Sequence, residues 1–475
     1  MGYREPPYFL NPFIMPNSAL PLSYFNCGIA IYMLSTPVTY YLIYYLSASS
    51  AQYNAYATLV SLPWSFKFAF GLLSDGNPLN GYRRKSWLAI GWILFVFFNF
   101  ILASIGTPDI ATTTALMFLM TCSYLLGDVC CDTSCVERAR YETSLQKGSL
   151  QTSGYTIRAF GSIIGATLGA VLYNTYDWGW GLTIAQLFLL SGIIPLSSLL
   201  PLVYNLDELE PSVKPPSFLE NCQNIFNTLK LKAVWKPMSF VFIYYMFQVP
   251  NSAWSNFLVL GLGFSDFELG MLTVASAAMS WIGLIVYKQF FFQSSWRDIY
   301  IYTTILGAIF SLLQILLILR VNVSMGIPDV AFALGDYSIT ALMYAIQGMP
   351  ACIMFVMLCP DGSEGVTYAL LTTISNLAYT VASDIGSACT YIWDVSNATL
   401  EAGDYSGILK LTILTSLLQI APICLVFILP DSKDEVYRLI KSGGSSYNAG
   451  LTLLIVIIVS LLVTIIVNVV LIFDD

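Results

Sequence analysis

The chain has 475 residues, 57% of them hydrophobic and 10% charged, with a formal net charge of −8 and a mean hydropathy of +0.71. A soluble domain carries about 25% charged residues, so this chain cannot clothe itself in water-compatible surface and reads as an all-α polytopic membrane protein. Histidine is absent, which excludes a His base, a His-ligated metal and an imidazole relay, and leaves carboxylates as the proton carriers inside the membrane.

The first 21 residues, MGYREPPYFLNPFIMPNSALP, read as a cytoplasmic N-terminal segment. They lack the features of a signal or transit peptide, and Pro6 stands where a myristoylation site needs Ser or Thr. Crossing hydrocarbon takes about 20 apolar residues. Such segments are predicted near 22–46, 53–73, 86–106, 111–134, 151–174 and 179–204, forming a first six-helix half over 22–204. A linker over 205–236 follows, with DELEPSVKPP and then an amphipathic piece from Phe218 to Leu231. The second half, 237–430, is predicted to hold spans near 237–261, 267–291, 299–320, 330–358, 365–393 and 407–430. A linker over 431–448, ending in the Gly/Ser-rich KSGGSSYNAG stretch, leads to an extra transmembrane helix within 449–475. Six plus six around a central polar loop is the layout of two transporter halves, although no residue-level repeat joins them.

The ten cysteines are scattered and form no C-x-x-C pair, so they read as small buried hydrophobes; no metal site or cofactor is expected. With the N-terminus cytoplasmic, all but four of the twenty Lys and Arg fall on the inner side. The exceptions are Lys67 and Arg158 within spans and Arg320 and Lys410 at outer ends. Charge is thus segregated by membrane side, and no nucleic-acid partner is expected. Two N-x-S/T sequons, at Asn322 and Asn397, fall in loops that this topology places outside, as glycosylation acceptors.

Lys67, Asp128, Asp132 and Arg158 are charges inside otherwise apolar helices, which is expensive and marks function. Asp128, Asp132 and Cys135 repeat at i, i+4, i+7 and share one helix face. At about 1.5 Å per residue, Asp128 lies roughly 13 Å from the inner interface marked by Glu137, and Lys67 and Arg158 reach a similar depth. A packing-only salt-bridge network is the competing reading, but such a network rarely outperforms apolar packing.

Between the second and third spans runs Gly71-Leu-Leu-Ser74-Asp75 through Gly81-Tyr-Arg83-Arg84-Lys85. The glycines permit a tight turn, and Asp75 sits where it can cap a neighbouring helix. Glu137, Arg138 and Arg140 close the fourth span. In the second half Leu358-Cys-Pro-Asp-Gly-Ser-Glu364 makes a turn with Glu364 in the first turn of the next helix, and Asn376 lies inside that helix. Asp384 falls nearer its outer end, either facing water or in a polar contact.

Taken together, these strings resemble the folate–biopterin transporter family of the major facilitator superfamily, over about residues 20–430. The likeness rests on Leu62-Pro63-Trp64-Ser-Phe-Lys67 with Gly71 and Ser74-Asp75, on Gly81-Tyr-Arg-Arg-Lys-Ser86, on the Asp128 to Arg140 helix and on the Leu-Cys-Pro-x-Gly-x-Glu turn. Phe68 departs from the Pro often found there, and the last apolar segment lies outside the shared core. The resemblance implies a 12-helix fold and an inner-side latch of Gly71, Asp75, Gly81, Arg83, Arg84, Glu137, Arg138, Arg140 and Glu364 holding the halves together. It also implies a folate, pterin or related metabolite as cargo.

The expected mechanism is alternating access around a midplane site. Lys67 and Arg158 receive a carboxylate or ring oxygen, while Asp128 or Asp132 contacts an amino-pyrimidine edge or carries a coupling proton. Trp64 and Tyr41 offer stacking surfaces, and Asn251, Asn256, Gln347 and Asn376 polar contacts. S-adenosylmethionine, an amino acid or a nucleoside are alternative cargoes on the same fold. From a different class, a non-transporting scaffold or receptor would dock a partner, or a second copy, through the last helix. That helix carries Ser460, Thr464 and Asn468 as a polar stripe, suited to bonding a neighbouring helix but equally compatible with a plain lipid-facing anchor. The plasma membrane is the expected location.

Overall fold

The computed structural model describes residues 11, 17–139, 141–143, 148–174, 178–208, 218–359 and 364–473. Among them there is no strand, only two isolated bridges, and the chain is built of helices. The first half comprises α1 (Ala19–Tyr45), α2 (Ser50–Ser61, Leu62–Phe66 and Lys67–Gly76), α3 (Lys85–Ile105), α4 (Ile110–Ala139), α5 (Ser149–Leu172) and α6 (Ile184–Val203). An amphipathic α7 (Phe218–Leu229) lies in the central linker. Then come α8 (Lys232–Met246, resuming at Trp254–Asn256 and Phe257–Gly261), α9 (Asp266–Phe291), α10 (Trp296–Ile318), α11 (Asp329–Leu358), α12 (Glu364–Cys389) and α13 (Ser406–Ile428). A short α14 (Lys433–Ser442) and the terminal α15 (Tyr447–Ile472) complete the chain.

Ten of these helices are long and apolar enough to cross a membrane among the described residues. The other three predicted spans, α2, α8 and α12, are helical but atypical. A 3-10 stretch around Pro63 interrupts α2, residues 248–253 with Pro250 interrupt α8, and α12 carries seven Ser and Thr. Proline removes a backbone donor and crowds the preceding turn, so both interruptions have a local cause. Polar capping sets the starts legibly. Ser49 with Gln52, Thr183 with Gln186 and Ser265 with Glu268 form reciprocal capping boxes before α2, α6 and α9.

The stretch 431–448 contains the short helix α14, which buries Lys433 and Val436, and Arg297 pairs with Glu435 at 3.1 Å. The Gly/Ser-rich stretch before α15 is tied down: Gly444 accepts the Lys232 N–H at 3.0 Å, and the Ser446 N–H reaches the Lys230 carbonyl at 2.9 Å. In the first half α1 packs on α5, and α3 on both α4 and α6; the second half repeats this with α8 on α12, and α10 on α11 and α13. The halves meet where α2 lies on α12 and α5 on α9. The repeat missing from the sequence is thus present in the packing.

The α1–α5 contact is the tightest constraint on the site. A Cβ on Gly28 would fall 2.1 Å from the Arg158 carbonyl oxygen, and one on Gly161 would fall 2.1 Å from that of Phe25. Only glycine permits this backbone approach, which is how helices associate where no hydrophobic drive separates protein from lipid.

Candidate functional site

The four charges predicted to lie at one depth form one ion cluster. Lys67 follows directly on the 3-10 stretch of α2, and its ammonium donates to Asp128 at 2.7 Å and Asp132 at 2.9 Å, both on α4. From α5, Arg158 Nη1 donates to the other oxygen of Asp128 at 3.0 Å. The remaining Asp132 oxygen accepts from Tyr24 and from Gln151, each at 2.8 Å. Both carboxylates therefore have partners on both oxygens, and two cations balance two anions. The Lys67, Asp128 and Asp132 side chains are 3%, 0% and 3% exposed, whereas Arg158 is 19% exposed. One cation of a charge-balanced, otherwise buried cluster therefore remains accessible.

Aromatic faces surround that cation. The Arg158 guanidinium carbon lies 4.3 Å from the Tyr155 ring centroid, 5.7 Å from Trp64 and 5.9 Å from Tyr24, and the Lys67 nitrogen lies 4.9 Å from Trp64. Guanidinium stacking on aromatic faces leaves the in-plane donors that Asp128 does not take available to an anion. The cluster also borders the second half. The Tyr155 hydroxyl meets that of Tyr368 on α12 at 2.7 Å, and Asn376 donates to the Trp64 carbonyl at 2.9 Å. The broken α-helical ladder at Leu62–Phe66 is what frees that carbonyl for a partner from across the interface.

The other predicted contacts separate. Tyr41 donates to the Pro108 carbonyl at 2.7 Å and belongs to an aromatic group with Tyr45, away from the ion cluster. Asn256 bonds the Ala48 carbonyl at 3.2 Å and Asn397 at 3.0 Å. Asn251 and Gln347 line a distinct cavity of about 200 Å³ inside the second half. The Asn322 carboxamide is fully buried and donates to Ile327 and Asp329, so a glycan there requires the turn to open; Asn397 is half-buried in its bonds to Asn256 and Ala48.

At the α2–α3 end, Asp75 receives Arg84 at 2.5 Å and Arg83 at 3.5 Å, and Arg84 also holds Glu137 at 2.9 Å. The second Asp75 oxygen accepts the Val366 N–H at 3.0 Å, capping α12 across the interface as the sequence pattern anticipates. Gly81 turns the chain at φ +81, and Gly71 is buried in α2. Arg138 points elsewhere, to Ser134, Asn17 and Asp207. Arg140 and the Glu364 side chain lie outside the described residues.

Several functional neighbours escaped the sequence reading. Gln151, Tyr155 and Arg158 repeat at i, i+4, i+7, a stripe that marks one face of α5. Tyr24 carried no such signal. Neither did Glu208, whose carboxylate takes the backbone N–H groups of Arg83, Arg84 and Lys85 at 2.6, 3.1 and 3.2 Å and caps α3 from the linker.

The profile of the BT1 family matches residues 27–446. The chain belongs to that family. This BT1 member is 29% identical over 409 residues to a folate-biopterin transporter of Synechocystis sp., covering 84% of this chain and 78% of the relative. It is 24% identical over 378 residues to folate transporter 1 of Plasmodium falciparum, covering 79% and 72%. A probable folate-biopterin transporter 5 of Arabidopsis thaliana is 22% identical over 429 residues, covering 87% and 84%. Among solved structures, a bacterial homolog of the human lysosomal transporter Spinster superposes at a TM-score of 0.54, with 13% identity over 86% of this chain and 95% of the other. The human organic anion transporter MFSD10 does so at 0.56, with 13% identity over 87% and 99%. At that identity the two structures show the fold alone, which is of the major facilitator type. The BT1 chain is therefore a multi-pass membrane transporter.

Proposed function

We propose that this BT1 chain moves a pteridine- or folate-like solute by alternating access, in exchange with or driven by protons. The carrying observation is Arg158, a partly exposed guanidinium ringed by Tyr24, Trp64 and Tyr155, the accessible member of a charge-balanced cluster beside the inter-half interface. A flat heterocycle stacks on such faces, and a carboxylate takes the free guanidinium edge. Lys67 bonds both Asp128 and Asp132 and orients them, so it acts behind Arg158. The names of the relatives support the same solute class. The moving units are the halves 22–204 and 237–430, as the recurring helix pairings suggest. The distribution of basic residues supports a cytoplasmic N-terminus, and the plasma membrane is the location this reading assigns.

The scaffold reading loses its motivation in α15, because Thr464 and Asn468 are spent within the chain on Asp384 rather than offered to a partner or second copy.

The test is uptake of labelled folate, biopterin and S-adenosylmethionine by cells expressing wild type, Arg158→Lys or Lys67→Ala, with surface expression measured alongside. Saturable folate uptake is expected. Arg158→Lys should raise KM for folate by about tenfold, the size of one lost charge-assisted bond, and change biopterin, which has no carboxylate, much less. Equal effects on both solutes would remove Arg158 as the carboxylate site. Absence of uptake of folate and biopterin by surface-expressed wild type would overturn the solute class.

A further inference from the structure

The cavity between α8, α10, α11 and α13 lies apart from the Arg158 site and is polar without being cationic. Its walls include Gln248 and Asn251 of α8, Gln314 of α10, Thr340 and Gln347 of α11, and Gln419. A volume of about 200 Å³ holds several waters, each needing about 30 Å³ of liquid volume. Behind Gln314 stands Asp336, 7% exposed, one turn from Thr340 and on the same α11 face as Thr340, Met343 and Gln347. Gln314 Nε2 donates to Asp336 Oδ2 at 2.8 Å, while Oδ1 is buried with no partner. On the cavity wall itself, Gln248 is 8% exposed and its Nε2 is likewise unpartnered. Gln248 Nε2 on the cavity wall and Asp336 Oδ1 behind Gln314 are thus two unsatisfied buried groups, one lining the cavity and one a single side chain away from it, and such groups call for a polar partner.

Resting on the transport reading above, we propose that Asp336 is the carboxylate that takes up and releases the coupling proton, with this cavity as its aqueous access. The first-half carboxylates are poorly suited to that task. Asp128 and Asp132 are clamped by Lys67 and Arg158 at 2.7 to 3.0 Å, and protonating either would strand a buried cation.

Asp336 has no such clamp. Among the described residues no Lys or Arg bonds to it, and Arg320 and Asp329 at the start of α11 pair with each other at 2.6 Å. The titratable groups whose fields meet it are the phenols of Tyr337 and Tyr344 on its own helix. Among the described residues, the groups set against this part of α11 from the facing helices are neutral: Gln248 and Asn251 on α8, Ser276 on α9, Ser311 and Gln314 on α10, and Thr415 and Gln419 on α13. Asp336 therefore has one oxygen held by a neutral amide and one left open, the arrangement in which a carboxyl group can exchange a proton with water that reaches it.

The step is proton binding at Oδ1 from water on one side of the membrane and its return to water on the other; no other bond changes. Gln347 joins this cavity to Tyr244, Thr303 and Thr304. The adjacent Tyr245 stacks on Tyr379 of α12 at 4.4 Å, one turn from the Asn376 that holds Trp64. A packed route therefore runs from the protonation site to the Arg158 site.

The experiment uses the full chain in proteoliposomes, as wild type, Asp336→Asn and Asp336→Glu, with labelled folate as probe. Accumulation under an imposed proton gradient and counterflow at equal pH are measured in parallel. Asp336→Asn is expected to lose gradient-driven accumulation down to the equilibrated level while keeping counterflow within about twofold, and Asp336→Glu to restore part of the accumulation. Accumulation by Asp336→Asn equal to wild type overturns the proposal, and so does loss of its counterflow in folded protein. Infrared difference spectra on acidification supply a second readout independent of the solute. A protonated-carboxyl band present in wild type and missing in Asp336→Asn supports the assignment, and an unchanged band overturns it. Should wild type move no folate at all, the solute class fails and the infrared result alone decides Asp336.

Discussion

Removing the Lys67 ammonium tests whether the buried ion cluster is one electrostatic unit. Lys67→Met keeps most of the side-chain volume but leaves Asp128, Asp132 and Arg158 with one uncompensated negative charge. Lys67 and its two partners, Asp128 and Asp132, are at most 3% exposed, so solvent screens little of the imbalance. Breaking a buried pair by removing one member costs about 3–5 kcal/mol. The geometry predicts which second change repairs the loss. Arg158 bonds Asp128 and not Asp132, so Lys67→Met with Asp132→Asn leaves a neutral, directly bonded Asp128–Arg158 pair. Lys67→Met with Asp128→Asn leaves Asp132 and Arg158 charged but unbonded, and should recover less. Resistance to heating, read as the fraction of protein remaining monodisperse in detergent, should rank wild type first. The Lys67→Met/Asp132→Asn double variant should follow, then Lys67→Met/Asp128→Asn, with Lys67→Met alone last. Interaction energies within one network run to several kcal/mol, well above the resolution of such a cycle. A Lys67→Met/Asp132→Asn protein no more robust than Lys67→Met would refute the idea that charge balance sets the cost.

Two further predictions concern contacts that bridge elements. Asp75→Ala removes the cap on the Val366 N–H together with the Arg84 pair, and a lost cap costs about 1 kcal/mol. Hydrogen exchange at Val366 should then speed up roughly fivefold to tenfold, and less in Asp75→Asn, which retains an acceptor oxygen; unchanged exchange in Asp75→Ala would show that the cap does not hold the halves. Thr464→Val/Asn468→Leu strips Asp384 of both donors from α15, at about 1.5–3 kcal/mol for each bond to a charged group. Protease cutting near Gly443 should increase in that variant and fall back when Asp384→Ala is added. Identical cutting with and without Asp384→Ala would mean that the polar stripe does not anchor the helix.

The sequence by itself determined the class of molecule, most span boundaries and the ion cluster. Apolar length acts locally, so α3, α9 and α11 begin and end within a residue or two of the predicted limits, and α9 has the Ser265–Glu268 capping box at its start. Charge inside hydrocarbon has few permitted partners, which is why Lys67, Asp128, Asp132 and Arg158 could be grouped without coordinates. Asp75 as a cap was legible for the same reason, a carboxylate at a turn beside a helix start.

What only the tertiary structure decided is the fate of polar groups that carry no formal charge. Asn and Gln find partners almost anywhere, and their sequence spacing says nothing about a contact hundreds of residues away. Asn376 therefore reached Trp64 while Asn256 went to Ala48, and Gln347 joined a second-half cavity rather than the ion cluster. Tyr24 and Glu208 were invisible because their roles depend on the glycine-tight approach of α1 to α5 and on the path of the linker, both products of packing. The same holds for α15: its stripe was readable, but its partner Asp384 became known only when the helix was seen lying against α2 and α12 at the seam between the halves.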